Sequence, residues 1–119
     1  MSLAHSNTSL LPRVLGRRAL DADSLAVQLF IPDDLACLAG HFPSVALVPG
    51  VAQLDWVVRF ADLTVADLAK LIIKKLKFQR PLMPGHTVSL SINFDRHKNA
   101  LRFSFQGDEV EYSSGEIHF

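Results

Sequence analysis

From Val88 to Tyr112 the chain alternates apolar and polar residues with a period of two, and this alternation constrains the fold more than any other feature. Val88, Leu90, Ile92 and Phe94 are interleaved with Ser89, Ser91, Asn93 and Asp95. That is the pattern of a strand with one buried face, because successive side chains point to opposite sides of a sheet. After the polar turn Arg96-His97-Lys98-Asn99, Leu101, Phe103 and Phe105 alternate with Arg102, Ser104 and Gln106. Gly107-Asp108 then reads as a Gly-first two-residue loop leading into a third strand through Val110 and Tyr112. The C-terminal half is therefore expected to be an antiparallel meander.

One helix is expected against it. The segment VAQLDWVVRFADLTVADLA follows the pair Pro49-Gly50 and reads as a helix from Pro49 to about Ala66. At roughly 100° per residue, Val51, Leu54, Val57, Val58 and Ala61 form one broad face, and Trp56 and Phe60 occupy much of the opposite side. Only Asp55, Arg59 and Asp62 form a charged stripe, so the helix should be enclosed by other structure. The segment Leu68 to Arg80, LAKLIIKKLKFQR, fits either a cationic amphipathic helix or a strand with Ile72, Leu76 and Phe78 on one face. Pro81 and the meander that follows favour the strand. A first strand region is expected between Arg13 and Ile31, including Leu25, Val27 and Leu29. The economical architecture is α+β, one helix enclosed by an antiparallel sheet, in a single domain spanning residues 1–119.

Composition narrows the possible functions. Twelve Lys and Arg balance twelve Asp and Glu, which leaves no global field to attract nucleic acid. The lone Cys37 lies in an apolar run, excludes a disulfide framework and fits a reducing, cytoplasmic setting. Leu35 to Leu54 lacks charged residues, but Gly40, His41, Pro43, Pro49 and Gly50 interrupt it, so it reads as a buried connection entering a helix and not as a membrane span. Residues 1–20 are Ser- and Arg-bearing and acid-free; a frayed start and first strand explain them better than a transit peptide. There is no G-x-S-x-G elbow, Gly-rich phosphate loop or H-E-x-x-H helix. His5, His86, His97 and His118 are scattered and read as surface or turn residues, so no metal is expected.

The chemistry-bearing groups cluster between residues 40 and 55. Gly40-His41-Phe42-Pro43, then Pro49-Gly50, then Asp55 bring an imidazole, a helix N-terminus and a carboxyl group into one stretch. The unpaired N–H of Gly50 at a helix start can donate to a carbonyl oxygen that gains negative charge. His41 is suited to removing a proton beside that carbonyl. Asp55 is suited to protonating a leaving hydroxide if burial keeps it partly protonated. The same residues also admit structural readings: His41 as a packed or capping residue, and Asp55 as the i,i+4 partner of Arg59.

The segment GHFPSVALVPGVAQLD resembles the signature of the hotdog-fold 3-hydroxyacyl-acyl-carrier-protein dehydratases, H-F-P-G-x-P-x-x-P-G followed by an acid, with His41 and Asp55 fourteen residues apart. Lys77-Phe78-Gln79-Arg80-Pro81-Leu82-Met83-Pro84-Gly85 resembles the family's later K-F-x-R-P-x-x-P-G block. The resemblance implies a hotdog fold, in which an antiparallel sheet wraps one long central helix. It implies His41 as base at C2, Asp55 as acid toward the 3-hydroxyl and the Gly50 amide as thioester carbonyl donor, with no metal or redox cofactor. It also implies that the His and the acid of one site come from different subunits of a homodimer; a hexamer, or a heterodimer with a related hotdog subunit, stays open. Phe42, Pro49, Val51, Phe78 and Met83 are the candidate substrate-contacting residues; core packing explains Phe78 and Met83 equally well. Ser44, Ala46 and Arg59 depart from the pattern where the family usually has Gly, Pro and Gln, which implies a differently shaped pocket. Asp55 in place of Glu occurs in the branch that also isomerises the double bond, and VAQLDW is similar to the small dehydratases of aryl-polyene pathways.

A carrier-bound substrate calls for a local basic surface. Lys70, Lys74, Lys75, Lys77 and Arg80 supply five cations and no acid across residues 70–80 and form a candidate docking edge for acyl carrier protein. A solvated strand face balanced by Asp108, Glu109, Glu111 and Glu116 explains them equally well. The expected reaction is dehydration of 3-hydroxyacyl thioesters to trans-2-enoyl thioesters. The alternatives are a hotdog thioesterase using Asp55 as base or nucleophile, and a catalytically silent hotdog subunit that binds carrier protein.

Overall fold

The computed structural model describes residues 11–35 and 47–119. Six strands form one antiparallel sheet: β1 (Arg13–Asp21), β2 (Ser24–Phe30), β3 (Ile72–Phe78), β4 (Thr87–Asp95), β5 (Ala100–Gly107) and β6 (Val110–His118), in the order β1-β2-β4-β5-β6-β3. The alternation in β4 to β6 translates into burial as expected. Val88, Leu90 and Ile92 face the core beside Leu101, Phe103, Phe105 and Ile117, and the intervening residues face the other, convex side. The first strand region is a hairpin, with Asp21 opposite Ser24. Its turn carries no Gly or Asn, so only the Asp21 carboxylate marks it, accepting the Asp23 N–H at 2.8 Å.

Helix α1 (Gly50–Ala61) packs on the core-bearing, concave face, where Trp56, Val57 and Phe60 join Leu90, Ile92 and Phe105. Its buried positions are Gln53, Trp56, Val57 and Phe60, the i, i+3, i+4, i+7 stripe of one helix face. Trp56 meets Phe105 edge-on, ring centroids 6.3 Å apart. The face expected to be broadest is therefore not the one against the sheet: Leu54, Val58 and Ala61 are half-buried, and Val51 is 77% exposed.

The helix also stops sooner than the apolar pattern implies. Asp62 takes a left-handed conformation, φ 58°, and its N–H bonds the Arg59 carbonyl. Thr64 then starts a separate turn, α2 (Val65–Leu68), through a capping box with Asp67. The Thr64 backbone N–H, and secondarily its hydroxyl, hold the Asp67 carboxyl below the usual aspartate range. Asp is one of the few residues that tolerates the left-handed region, and a Thr-x-x-Asp cap two residues on competes with helix continuation.

The ambiguous segment after α2 is the edge strand β3, but its faces differ from the simple alternation. Lys75 has φ 54°, and the register against β6 skips between Lys74 and Lys77, a one-residue bulge. Ile73 and Phe78 stand opposite Ile117 and the fully buried Ser113, while Ile72 stands opposite His118. Ile73, Leu76 and Phe78 consequently share the concave side, and Ile72 joins Lys74 and Lys77 on the convex side. The last turn is also shifted by one residue. Gly107 pairs with Val110, so Asp108-Glu109 form the loop, with Glu109 left-handed at φ 55°. Gly107 instead makes room for Tyr112, whose ring would lie 3.1 Å from an added Cβ.

Candidate active site

The two sequence blocks meet through the backbone. The Val48 N–H donates to the Leu82 carbonyl at 2.7 Å, tying the segment before α1 to the Pro81–Gly85 loop. That loop is itself fixed: Leu82 is fully buried, the Gly85 N–H donates to Ile31, and Gly85 adopts φ +91°, which favours glycine. Pro49 is the N-cap and offers no side-chain cap. The first-turn bonds come from Ala52 and Gln53, whose N–H groups donate to the Pro49 carbonyl at 3.1 and 3.2 Å. The Gly50 amide thus stands at an uncapped helix start with the positive end of the helix dipole behind it.

Phe78 closes over this point. Its ring lies against the Gly50 Cα so closely that a Cβ there would overlap it. Gly50 and Phe78 line a cleft of about 240 Å³ with Leu47, Val48, Gln53, Gln79, Arg80 and Pro81. A larger hollow of about 530 Å³ lies on the convex face, lined by charged groups such as Lys75, Arg102 and Glu116. It does not reach Gly50, whereas the smaller cleft does; neither is lined by Asp55.

The structure brings together some of the expected site residues and separates others. Gly50, Phe78 and Arg80 converge on the cleft, with Pro49 at its edge. Val51 points to the open side of α1. Met83 sits in a turn, its N–H donating to His86 Nδ1 at 3.2 Å, and does not line this cleft. Asp55 is half-exposed on the outer side of α1, where Arg59 Nε donates to its Oδ2 at 2.9 Å. His41 and Phe42 lie outside the described residues, as does Cys37. Lys70, Lys74, Lys75, Lys77 and Arg80 are all exposed. Lys74 and Lys77 lie on the convex side of β3, and Lys75 pairs with Glu116 at 3.5 Å. Among the described residues no group of His, Cys, Asp and Glu could hold a metal ion, and no helix is long and apolar enough to cross a membrane.

One residue of the cleft escapes sequence reasoning. Gln53 is 3% exposed, accepts a hydrogen bond from the Ser113 hydroxyl at 2.6 Å and donates to the Val48 carbonyl at 3.2 Å. The available signal is a long polar side chain on the same stripe as Trp56, Val57 and Phe60, where a buried amide must be bonded.

The profile of the ApeI-like family, described as ApeI dehydratase, matches residues 17–116. Among solved structures, the dehydratase heterocomplex ApeI:P from Xenorhabdus doucetiae superposes with a TM-score of 0.80 at 36% identity, covering 91% of this chain and 96% of that one. A protein from Erwinia carotovora subsp. atroseptica gives 0.71 at 35% identity, covering 91% and 94%. The 3-hydroxyacyl-[acyl-carrier-protein] dehydratase FabZ of Chlamydia trachomatis is 26% identical over 84% of this chain and 74% of its own length. The FabZ of Erythrobacter litoralis is 30% identical over 57% of this chain, which spans about half (51%) of that relative. The sheet and its helix are thus the hotdog fold of acyl dehydratases. The chain belongs to the ApeI-like dehydratase family.

Proposed function

We propose that the protein dehydrates 3-hydroxyacyl thioesters, carried on acyl carrier protein, to trans-2-enoyl thioesters. The observation that carries this reading is the uncapped Gly50 amide beside a cleft walled by Val48, Phe78 and Pro81 together with Gln53, Gln79 and Arg80, in a chain that belongs to a dehydratase family. The thioester carbonyl accepts from the Gly50 N–H, which stabilises negative charge on its oxygen as C2 loses a proton. His41 takes that proton. The C2–H electron pair forms the C2=C3 bond, the C3–O bond breaks, and Asp55, half-exposed and paired with Arg59 in the single chain and dependent on a second subunit for the burial that keeps it protonated, gives its proton to the departing hydroxide, which leaves as water.

Asp55 is half-exposed on the outer side of α1 and does not line the cleft that Gly50 lines, so one chain does not bring both to a single cleft. This supports a site shared between two subunits, each giving one of the two catalytic side chains. The surface offers a place for the second subunit: β3 is an exposed edge strand whose concave side carries Ile73, Leu76 and half-exposed Phe78. A homodimer satisfies this geometry. A related hotdog subunit would also do so, and the Xenorhabdus relative is itself a dehydratase heterocomplex. The convex cations Lys74 and Lys77, with Lys70 and Arg80 at the ends of β3, form the docking edge for an acidic carrier; Lys75 contributes less because Glu116 neutralises it. The reaction belongs to fatty-acid or aryl-polyene biosynthesis.

The test is to incubate the protein with a 3-hydroxyacyl carrier protein and follow the acyl mass. Loss of one water by wild type, abolished in His41→Ala and Asp55→Asn, is the expected result. Release of free acid would replace this reading with a thioesterase, and intact substrate with tight carrier binding would replace it with a silent subunit.

A further inference from the structure

We propose that Gln53 is a positioning residue that holds the Pro49–Gly50 end of α1 in register with Phe78 and so sets the aim of the Gly50 amide; the inference rests on the reading of Gly50 as carbonyl donor. The side-chain amide has a defined orientation. The Val48 carbonyl can only accept, so Nε2 faces it at 3.2 Å and Oε1 faces the Ser113 hydroxyl, which donates at 2.6 Å.

These two bonds close a ring of contacts. Ser113 stands opposite Phe78 in the β3–β6 ladder, and the Phe78 ring lies on Gly50. From Gly50 the chain runs back through Pro49 to Val48, whose carbonyl returns to Gln53. The Gln53 backbone N–H bonds the Pro49 carbonyl as well, so this one residue grips both residues that precede Gly50. No side-chain cap performs this task, because Pro49 has none to offer. Gln53 and Ser113 are the two buried polar residues of the described chain, 3% and 0% exposed, and they bond each other. A leucine at position 53 would fill the same core slot, so the amide's distinctive contribution is the fixed geometry of the helix start.

The test compares wild type with Gln53→Leu, Ser113→Ala and the double variant, each shown to unfold cooperatively above the assay temperature. In Gln53→Leu, kcat for the hydroxyacyl carrier substrate should fall by at least about tenfold with KM within about threefold, as expected for misaimed and not lost binding. The double variant should be no worse than Gln53→Leu, because both substitutions break one network. The ¹⁵N amide resonance of Gly50 should move in Ser113→Ala, which leaves residue 53 unchanged, and Ser113→Ala should not move it further on the Gln53→Leu background. A kcat within twofold of wild type, or a loss carried by KM alone, would overturn the proposal. If wild type proves not to dehydrate, the dehydratase reading fails separately and the Gly50 resonance decides: a shift in Ser113→Ala upholds the positioning role, and an unmoved resonance overturns it.

Discussion

Gly50→Ala should separate stability from activity. Gly50 is the first residue of α1 and does not need a positive φ, so alanine gains helix propensity there, at most about 1 kcal/mol and less in a first turn. Against this, the new methyl displaces Phe78, the far end of a side chain already 50% exposed. Losing half the burial of such a ring costs about 1 kcal/mol. The two terms nearly cancel, and the urea midpoint should move by no more than about 1 kcal/mol equivalent. Activity should not survive equally well. The displaced ring has the 240 Å³ cleft beside it to occupy, and the methyl itself bars the carbonyl from the amide. Removal of one such donor costs about 10²–10³ in kcat. The assay is water loss from a 3-hydroxyacyl carrier protein under saturating and limiting substrate, alongside Phe78→Leu/Gly50→Ala, which relieves the crowding and should recover part of the rate. Gly50→Ala retaining activity within about threefold would refute the assignment of this amide and cleft.

Other perturbations have equally definite outcomes. Trp56→Ala removes the largest fully buried side chain and its edge contact with Phe105, and should cost about 3–5 kcal/mol by urea unfolding. Asp62→Gly should be neutral or stabilising by under about 1 kcal/mol, whereas Asp62→Val should destabilise, because position 62 requires a left-handed backbone. Arg59→Gln removes a half-exposed i,i+4 pair and should change stability by no more than about 0.5 kcal/mol, so any larger change in rate reports on Asp55 chemistry. The hydrogen bond from His118, with a smaller pull from Lys75, holds the Glu116 carboxyl below its ordinary value of 4.5. A lowered pKa stabilises the fold above the unfolded value and is lost as pH falls through the folded one. Glu116→Gln should therefore flatten the acid limb of thermal stability below about pH 4.5, and an unchanged limb would contradict the pairing.

What is legible in the sequence follows from how each element is buried. Strands β4 and β5 bury one face against α1, so their period of two survives intact and gives both the strands and their inward residues. Strand β3 is exposed along its whole length and carries a bulge at Lys75. No burial enforces strict alternation there, and the extra residue puts Ile73 where simple alternation places Ile72. The end of α1 is hidden because the apolar pattern runs past Asp62, while the break depends on a left-handed Asp and a cap at Thr64, both local hydrogen-bond effects. Gly50 and Phe78 are visible in the sequence only as members of two separate motifs; the Val48–Leu82 bond that joins their segments is a contact across the fold that spacing does not reveal. Gln53 is inconspicuous because its importance lies in Ser113, sixty positions away.

In the proposed mechanism one catalytic site draws its His41 and its Asp55 from different subunits. The most direct measurement is to mix His41→Ala with Asp55→Asn, allow subunits to exchange, and follow water loss from a 3-hydroxyacyl carrier protein. Each variant alone should be inactive, and random pairing should restore about a quarter of wild-type activity, since half the dimers then hold one intact site of two. A mixture that stays inactive after verified exchange, alongside active wild type, would contradict the shared site.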